Sequence, residues 1–206
     1  MKNLPVVFLI LLLIRCNQTE TSTQLPIYGN TAYEGTDTIY HTVADFSLTD
    51  QDSLQVTNET FSGQIYVSDF FFTSCPTICP VMKQQMLRVY EKIENNDQVS
   101  ILSHTIDPDY DTVEVLKDFA DKLGVNSNKW KFVTGDADYI YDLGETSYMV
   151  MADEDENAAG GFIHSGAFLL VDKERRIRGV YDGTVAEQVD ILLNDIDKLL
   201  KEYDQN

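Results

Sequence analysis

The sequence has few basic residues. Its 15 Lys and Arg side chains stand against 34 Asp and Glu, which gives a formal net charge of −19 at pH 7. Nucleic-acid affinity depends mainly on the neutralisation of phosphates by Lys and Arg. We therefore expect no nucleic-acid partner and no charge-driven binding to an anionic membrane.

Cysteine is also scarce, since Cys16, Cys75 and Cys79 are the only three in 206 residues. Exported domains that rely on disulfides carry several pairs spread over the fold. A disulfide closing a ring of about five residues would stabilise the fold by only roughly 2 kcal/mol, less than a longer loop gives. The Cys75 and Cys79 pair is therefore better explained by chemistry than by stabilisation.

No apolar run is long enough to cross a bilayer as a helix. Residues 4–14 are apolar and follow a short basic start, which is typical of an export signal. We expect residues 1–16 to be such a signal, with Cys16 acylated as in bacterial lipoproteins, although Arg15 stands where a small residue is usual. An ordinary export signal with an incidental cysteine is the alternative. Both place the domain outside the cytoplasm, and acylation would anchor it to the lipid bilayer on the periplasmic side of a bacterial envelope.

The length suits one domain with additional segments. Residues 17–42 predict a flexible tether and an irregular extension, because Pro26, Gly29 and Gly35 interrupt regular structure. Residues 43–206 form the predicted domain. No internal repeat is visible.

Within that domain, strand and helix patterns alternate. Residues 46–48 and 54–56 predict an N-terminal β-hairpin, and residues 64–72, 98–106 and 130–133 predict strands. Helices are expected at residues 81–94, from Thr112 to a stop at Gly124, and at 137–144. Residues 152–161 predict an acidic loop, residues 168–172 and 177–181 a second hairpin, and Thr184-x-x-Glu187 the start of the last helix.

This order predicts an α/β fold with a central mixed sheet flanked by helices. Strands alternating with helices imply right-handed crossovers and a partly parallel sheet covered on both faces. Ligands of such sheets lie beyond the carboxyl ends of strands. Cys75 follows one such end and Asp107 follows another.

Cys75 and Cys79 lie near the start of the helix predicted at residues 81–94. Pro76 or Pro80 would each suit the first helical position. The helix dipole and the free N–H groups there favour thiolates, and the i, i+4 spacing permits a disulfide if the loop is helical. The pair can therefore bind a metal ion when reduced or close into a disulfide when oxidised.

Thiolates select soft ions such as Cu(I), and an added imidazole makes a site suitable for Cu(II) as well. His164, just before a predicted strand, is the candidate third ligand, and a surface or packing role is its alternative. Zinc is a rival metal, but a structural zinc site needs a fourth protein ligand, such as His104 or a carboxylate.

Three motifs in this sequence resemble those of the SCO/SenC copper-binding proteins. They are Phe-Phe-Thr-Ser-Cys-Pro-Thr-Ile-Cys-Pro at residues 71–80, Ser-His-Thr-Ile-Asp-Pro-Asp-Tyr-Asp-Thr at 103–112, and His-Ser-Gly-Ala-Phe-Leu-Leu-Val-Asp at 164–172. The similarity extends over residues 43–200. Two positions depart from the family pattern, Thr77 between the cysteines and Ile163 before the histidine, where acidic residues are frequent.

The resemblance implies a thioredoxin-like fold with copper bound by Cys75, Cys79 and His164. It also implies a membrane-tethered copper chaperone that helps to assemble the CuA site of cytochrome c oxidase, and a non-catalytic carrier is the leading hypothesis. Some relatives resemble thiol-disulfide reductases, in which Cys75 and Cys79 would be a redox-active pair.

An enzyme of the same fold is the competing interpretation. A reductase usually has two residues between its cysteines, where this chain has three, and a proline before the strand at 168, where this chain has none. A peroxidase needs an arginine near its thiol, and the nearest one downstream is Arg88.

Other polar or soft residues near these motifs have simpler roles as alternatives. Asp107 and Asp111 could support the metal site or cap the turn into the next helix. Met82 and Met86 lie at core spacing and predict packing rather than metal binding. The acidic run at residues 153–156 predicts a solvated loop, which could also gate the site.

Overall fold

The computed structural model describes residues 24–154 and 162–204, and of residues 152–154, Ile163 and His164 it describes the backbone alone. Cys16 and residues 155–161 lie outside the described residues. No described helix is long and apolar enough to cross a membrane.

The strands run in chain order from β1 to β11. They are β1 (Thr31–Glu34), β2 (Asp37–Tyr40), β3 (Ser47–Asp50), β4 (Gln55–Thr57), β5 (Ile65–Phe71), β6 (Val99–Thr105), β7 (Trp130–Thr134), β8 (Ala152–Glu154), β9 (Phe162–His164), β10 (Ala167–Val171) and β11 (Ile177–Asp182). The helices are α1 (Cys79–Ile93), α2 (Val113–Leu123), α3 (Ala137–Asp142) and α4 (Ala186–Asp204), with a 3₁₀ turn at Asn58–Phe61 and a π turn at Leu143–Ser147.

Seven strands form one mixed sheet in the order β11-β10-β5-β6-β7-β3-β4. The pairs β5–β6 and β6–β7 are parallel, and the other pairs are antiparallel. Every residue of β5 and β6 is buried, as expected for strands covered on both faces. The mixed sheet with flanking helices is confirmed, and so is the N-terminal hairpin, which forms β3 and β4.

Sequence signals correctly predicted both ends of α2. The Thr112 side chain accepts a hydrogen bond from the Val115 N–H at the start of α2, and Gly124 ends that helix with a φ of 70°. Glycine is favoured there because a left-handed residue accommodates the last carbonyl groups without a Cβ clash.

Three local expectations were wrong. Residues 31–40, predicted to be irregular, form the β1–β2 hairpin across a turn at Gly35, which has a φ of 64°. The first part of the predicted acidic loop is β8, which pairs with β9. Helix α1 begins at Cys79, two residues earlier than predicted. Pro80 occupies its second position, where the N–H that proline lacks would have no acceptor within the helix.

The N-terminal extension is joined to the domain by a buried cluster of charged side chains around Arg178. The Arg178 guanidinium, 5% exposed, lies 3.1 Å from the Asp172 carboxylate and 2.7 Å from that of Glu202. It also donates to the carbonyl oxygens of Leu25 and Pro26. This cluster joins β11, the end of α4 and the N-terminal extension.

We expect Arg178→Leu to lower the free energy of unfolding by about 3 kcal/mol, because it leaves the buried Asp172 carboxylate with one cation fewer. Arg88→Leu is the matched control, since Arg88 and Asp190 pair at the exposed surface and such pairs contribute at most about 1 kcal/mol. Urea unfolding measures both. Equal losses in the two variants would contradict the assigned role of the cluster.

Candidate metal centre

Both thiols lie in the loop that joins β5 to α1, which we call the cysteine loop (residues 72–79). The Cys75 N–H donates to the Phe72 carbonyl at 3.3 Å, and Cys79 is the first residue of α1. The two cysteines are not joined in a disulfide, and only 8% of Cys75 and 9% of Cys79 is exposed. The loop therefore holds two nearly buried thiols at a helix N-terminus.

The surroundings of the two sulfur atoms differ. Burial opposes ionisation of Cys75, but hydrogen bonds from the Cys79 thiol, from the backbone N–H groups of Thr77 and Cys79 and from the Thr77 hydroxyl outweigh it and lower the pKa of Cys75. For Cys79 burial dominates, and the hydrogen bond to Cys75 adds to it, so that its pKa is raised. Cys75 is therefore the thiol that ionises first, and its thiolate is the better nucleophile and metal ligand.

Asp111 fixes the start of the cysteine loop. Its buried carboxylate accepts hydrogen bonds from the Thr73 N–H at 3.0 Å, from the Thr73 hydroxyl, and from the Thr105 hydroxyl at 2.6 Å. Thr73 lies two residues before Cys75, and Thr105 ends β6. Asp111 thus joins the loop to the neighbouring strand, which is more than the turn cap that the sequence offered as its alternative role.

Asp107 has a different place. Its carbonyl oxygen and carboxylate accept from backbone N–H groups of Tyr110 and Asp111, and its own N–H donates to the Thr105 hydroxyl at 3.1 Å. Asp107 therefore holds the turn before α2.

A cavity of about 50 Å³ lies beside the cysteine loop, lined by both cysteines and by Asp69, Ser103 and Trp130 among others. The Trp130 indole N–H donates to the Ser103 hydroxyl at 2.8 Å, and that hydroxyl donates to the Asp69 carboxyl at 2.5 Å. Burial raises the pKa of Asp69 to about 7, and the bond from Ser103 only partly opposes it. Met82 and Met86 are buried and also line the cavity, as their core spacing predicted.

The strand that carries His164 lies against the cysteine loop. The Phe162 ring packs on the Phe72 ring with centroids 5.0 Å apart. On the other side of His164, a Cβ added to Gly166 would lie 3.7 Å from the Ile78 side chain. The His164 backbone therefore lies between Phe162, which packs on the cysteine loop, and Gly166, which lies near that loop. The His164 side chain is outside the described atoms.

The other two histidines are engaged elsewhere. A ring nitrogen of His41 lies 2.7 Å from the Ser147 carbonyl oxygen. His104 is fully buried on the face of the sheet opposite to Ser103 and stacks on Phe70 at 4.6 Å. Burial lowers the pKa of His104 to about 4, so it is neutral. Because it faces away from the cavity, His104 cannot complete a zinc site with the cysteines.

In the part of the chain that the structure describes, no three His, Cys, Asp or Glu side chains lie close enough together to hold a metal ion. The described cysteines supply two thiol donors, and the side chain of His164 lies outside the described atoms.

The sequence did not predict a role at the site for two residues that line the cavity. Asp69 and Trp130 received no functional interpretation, although Asp69 is an acidic residue inside an otherwise uncharged buried strand. A carboxyl group at such a position is unusual without a partner or a role, and that signal could have singled it out.

Comparison with known proteins gives consistent matches. The SCO1/SenC family profile matches residues 34–201. The SCO1 protein homolog of Bacillus subtilis is 29% identical over 162 residues, which cover 78% of this chain and 83% of that protein.

Solved structures of the same family also match this chain. A SCO1/SenC family lipoprotein from Bacillus anthracis is 28% identical with a TM-score of 0.71, covering 78% of this chain and 95% of that one. BsSco, described as a member of the Sco family of cytochrome c oxidase assembly proteins and as having a disulfide switch, is also 28% identical, with a TM-score of 0.68 over 77% and 93% of the chains. Copper-bound ScoI of Arabidopsis thaliana, at 24% identity and a TM-score of 0.63 over 76% and 99%, shares the fold.

We expect Asp111→Ala to lower the free energy of unfolding by about 2 kcal/mol or more, because donors on the half-buried Thr73 and the buried Thr105 lose their acceptor. The buried thiols should also react faster with a disulfide reagent. Asp109→Ala is the matched control, since Asp109 is exposed in the same turn. Unchanged thiol reactivity in Asp111→Ala would contradict the role of Asp111 in holding the loop.

The Asp69 carboxyl predicts a pH dependence of stability in the metal-free, reduced protein. Its pKa is raised from 3.8 to about 7 on folding, so the folded state binds the proton more tightly. The free energy of unfolding should therefore fall as pH rises from about 4 to 7, by at most about 4 kcal/mol at 1.36 kcal/mol per pKa unit. Asp69→Asn should lose this component, so urea unfolding should find the variant progressively more stable than wild type toward pH 8. Parallel pH profiles would contradict it.

Proposed function

The chain belongs to the SCO1/SenC family, and from that we propose that it is a copper carrier whose cargo is bound by Cys75, Cys79 and His164. The observation that carries the proposal is the pair of nearly buried thiols, with Cys75 shortly before α1 and Cys79 as its first residue. They lie beside the strand that carries His164. Two thiolates suit Cu(I), and an imidazole extends the site to Cu(II). The copper-bound relative from Arabidopsis supports the choice of metal within the family.

The difference between the thiols suggests an order of capture. Cys75, whose pKa is lowered, supplies the first thiolate. Cys79 then loses its proton as copper binds, because the metal replaces that proton as the positive partner of the sulfur. Asp69 lines the cavity beside Cys79 and, with its raised pKa, is suited to accept a proton there.

We further propose that the carrier is exported and held at the membrane by a lipid on Cys16, with residues 17–42 as tether and extension and residues 43–206 as the working domain. The description of the Bacillus anthracis relative as a lipoprotein supports this anchor. The recipient in this proposal is the CuA subunit of cytochrome c oxidase, in line with the description of BsSco as an oxidase assembly protein.

A thiol-disulfide reductase acting on an exported target is the second candidate function. One observation favours it: the Cys79 thiol donates to Cys75, whose pKa is lowered, as in a pair prepared for attack on a disulfide. In that step the Cys75 thiolate would attack the target disulfide and Cys79 would then close on Cys75. The target would be reduced and this chain oxidised.

Separate titrations, one with Cu(I) under anaerobic conditions and one with Cu(II), test the carrier. We expect one tightly bound Cu(I) per reduced chain, no tight site in Cys75→Ser or Cys79→Ser, and in His164→Ala a loss of Cu(II) affinity of at least about tenfold, or about 1.4 kcal/mol. His41→Ala is the matched control, because a ring nitrogen of His41 lies 2.7 Å from the Ser147 carbonyl oxygen.

Unchanged stoichiometry in both cysteine variants would contradict the copper proposal. Rapid turnover of a disulfide substrate by metal-free wild type would replace the carrier by the reductase.

A further inference from the structure

The β1–β2 hairpin stands apart from the main sheet in the described part of the chain. All eight of its residues are exposed, and its two strands pair only with each other. An isolated two-stranded hairpin is marginally stable in water. A hairpin of this kind is therefore expected to gain stability from a surface that covers it.

One face of the hairpin is aromatic and uncharged. Thr31 pairs with Tyr40 and Tyr33 with Thr38, so these four side chains share a face, which we call the Tyr/Thr face. Tyr33 is 75% exposed and Tyr40 42%. Glu34 and Asp37 are partners in the strand register, and their carboxylates lie on the opposite face of the hairpin. An uncharged aromatic face stands out in a chain with a net charge of −19.

The hairpin is rooted at the end of the sheet where β5 begins. The Tyr28 N–H donates to the Ile177 carbonyl before the hairpin, and the Val43 N–H donates to the Arg175 carbonyl after it. Strand β10 is antiparallel to β5, so the turn at Arg175 lies beside the first residues of β5. The cysteine loop lies at the other end, about 20 Å away along seven residues of strand.

The same end of the domain receives the tether. Cys16 precedes Gln24, the first described residue, by eight positions. Eight residues span at most about 28 Å when fully extended. An acyl group on Cys16 would therefore hold the root of the hairpin close to the bilayer surface.

We propose that the Tyr/Thr face is a membrane-docking surface that rests on the phospholipid headgroups, and this inference rests on the proposed lipid anchor. Tyrosine has an apolar ring and a polar tip, which suits it to the membrane–water interface. Because the face is uncharged, docking is independent of anionic lipid and insensitive to salt. The cysteine loop then points away from the bilayer, toward a recipient whose metal site stands above the membrane.

The test uses the full lipidated chain on phosphatidylcholine vesicles whose acyl chains are brominated near the headgroups, since bromine quenches nearby tryptophan. Tyr33→Trp is compared with Tyr110→Trp, an exposed tyrosine that follows β6 at the cysteine end. Wild type, with its single buried Trp130, gives the background. We expect loss of fluorescence in Tyr33→Trp, unchanged in high salt, and none above background in Tyr110→Trp.

A second measurement follows amide hydrogen exchange of residues 31–40. We expect these amides to be protected on vesicles and to exchange rapidly in the soluble Cys16→Ser chain. Tyr33→Ser combined with Tyr40→Ser should lose the protection while copper binding by the same preparation stays unchanged.

The outcomes separate this inference from the proposed function. If the chain floats with vesicles but Tyr33→Trp is quenched no more than Tyr110→Trp, docking is wrong and the anchor stands. If the chain does not float with the vesicles, both the lipid anchor and the docking proposal are wrong. The copper titration then still tests the proposed copper carrier independently. Protection that rises with the concentration of the soluble chain would assign the face to a second copy and overturn the proposal.

Discussion

The hydrogen bonds of Asp111 are the constraint on which the proposed site depends. A single buried carboxylate holds the backbone and hydroxyl of Thr73 and the hydroxyl of Thr105, and so fixes the loop before Cys75 to the end of a buried strand. Without that junction the thiols would sit on a free loop. With it, both sulfur atoms are held nearly buried at the start of α1, where local N–H groups can lower the pKa of Cys75.

The two ends of the sheet have separate tasks in this account. At the end where β5 finishes, the cysteine loop, the cavity with Asp69 and the strand of His164 come together. At the end where β5 begins, the Arg178 cluster ties the entering chain to the domain, and the hairpin follows it. The fully buried strand between them keeps the proposed copper site at a fixed distance from the root of the hairpin.

Sequence patterns predicted the parts of the fold whose signals are local. Thr112 and Gly124 marked the ends of α2 because capping depends on adjacent residues, and the buried strands followed from continuous apolar runs. The hairpin at residues 31–40 was missed, although its strands flank a two-residue turn containing Gly35. The roles of Asp111 and Asp69 depend on contacts with residues distant in sequence, Thr73 for one and Ser103 for the other, and no local pattern predicts such contacts. The cysteines were predicted as a site because their spacing is local. His164 was a candidate from its place before a strand, and its assignment as a ligand depends mainly on the family resemblance.

The claim that His164 completes a site begun by two cysteine thiolates is tested most directly by spectroscopy of the Cu(II)-loaded full chain. The account predicts thiolate-to-copper charge transfer in the absorbance spectrum together with nitrogen coupling in the EPR signal. In His164→Ala the nitrogen coupling should be lost while the charge-transfer band persists. A spectrum without thiolate charge transfer, or nitrogen coupling that survives in His164→Ala, would contradict it.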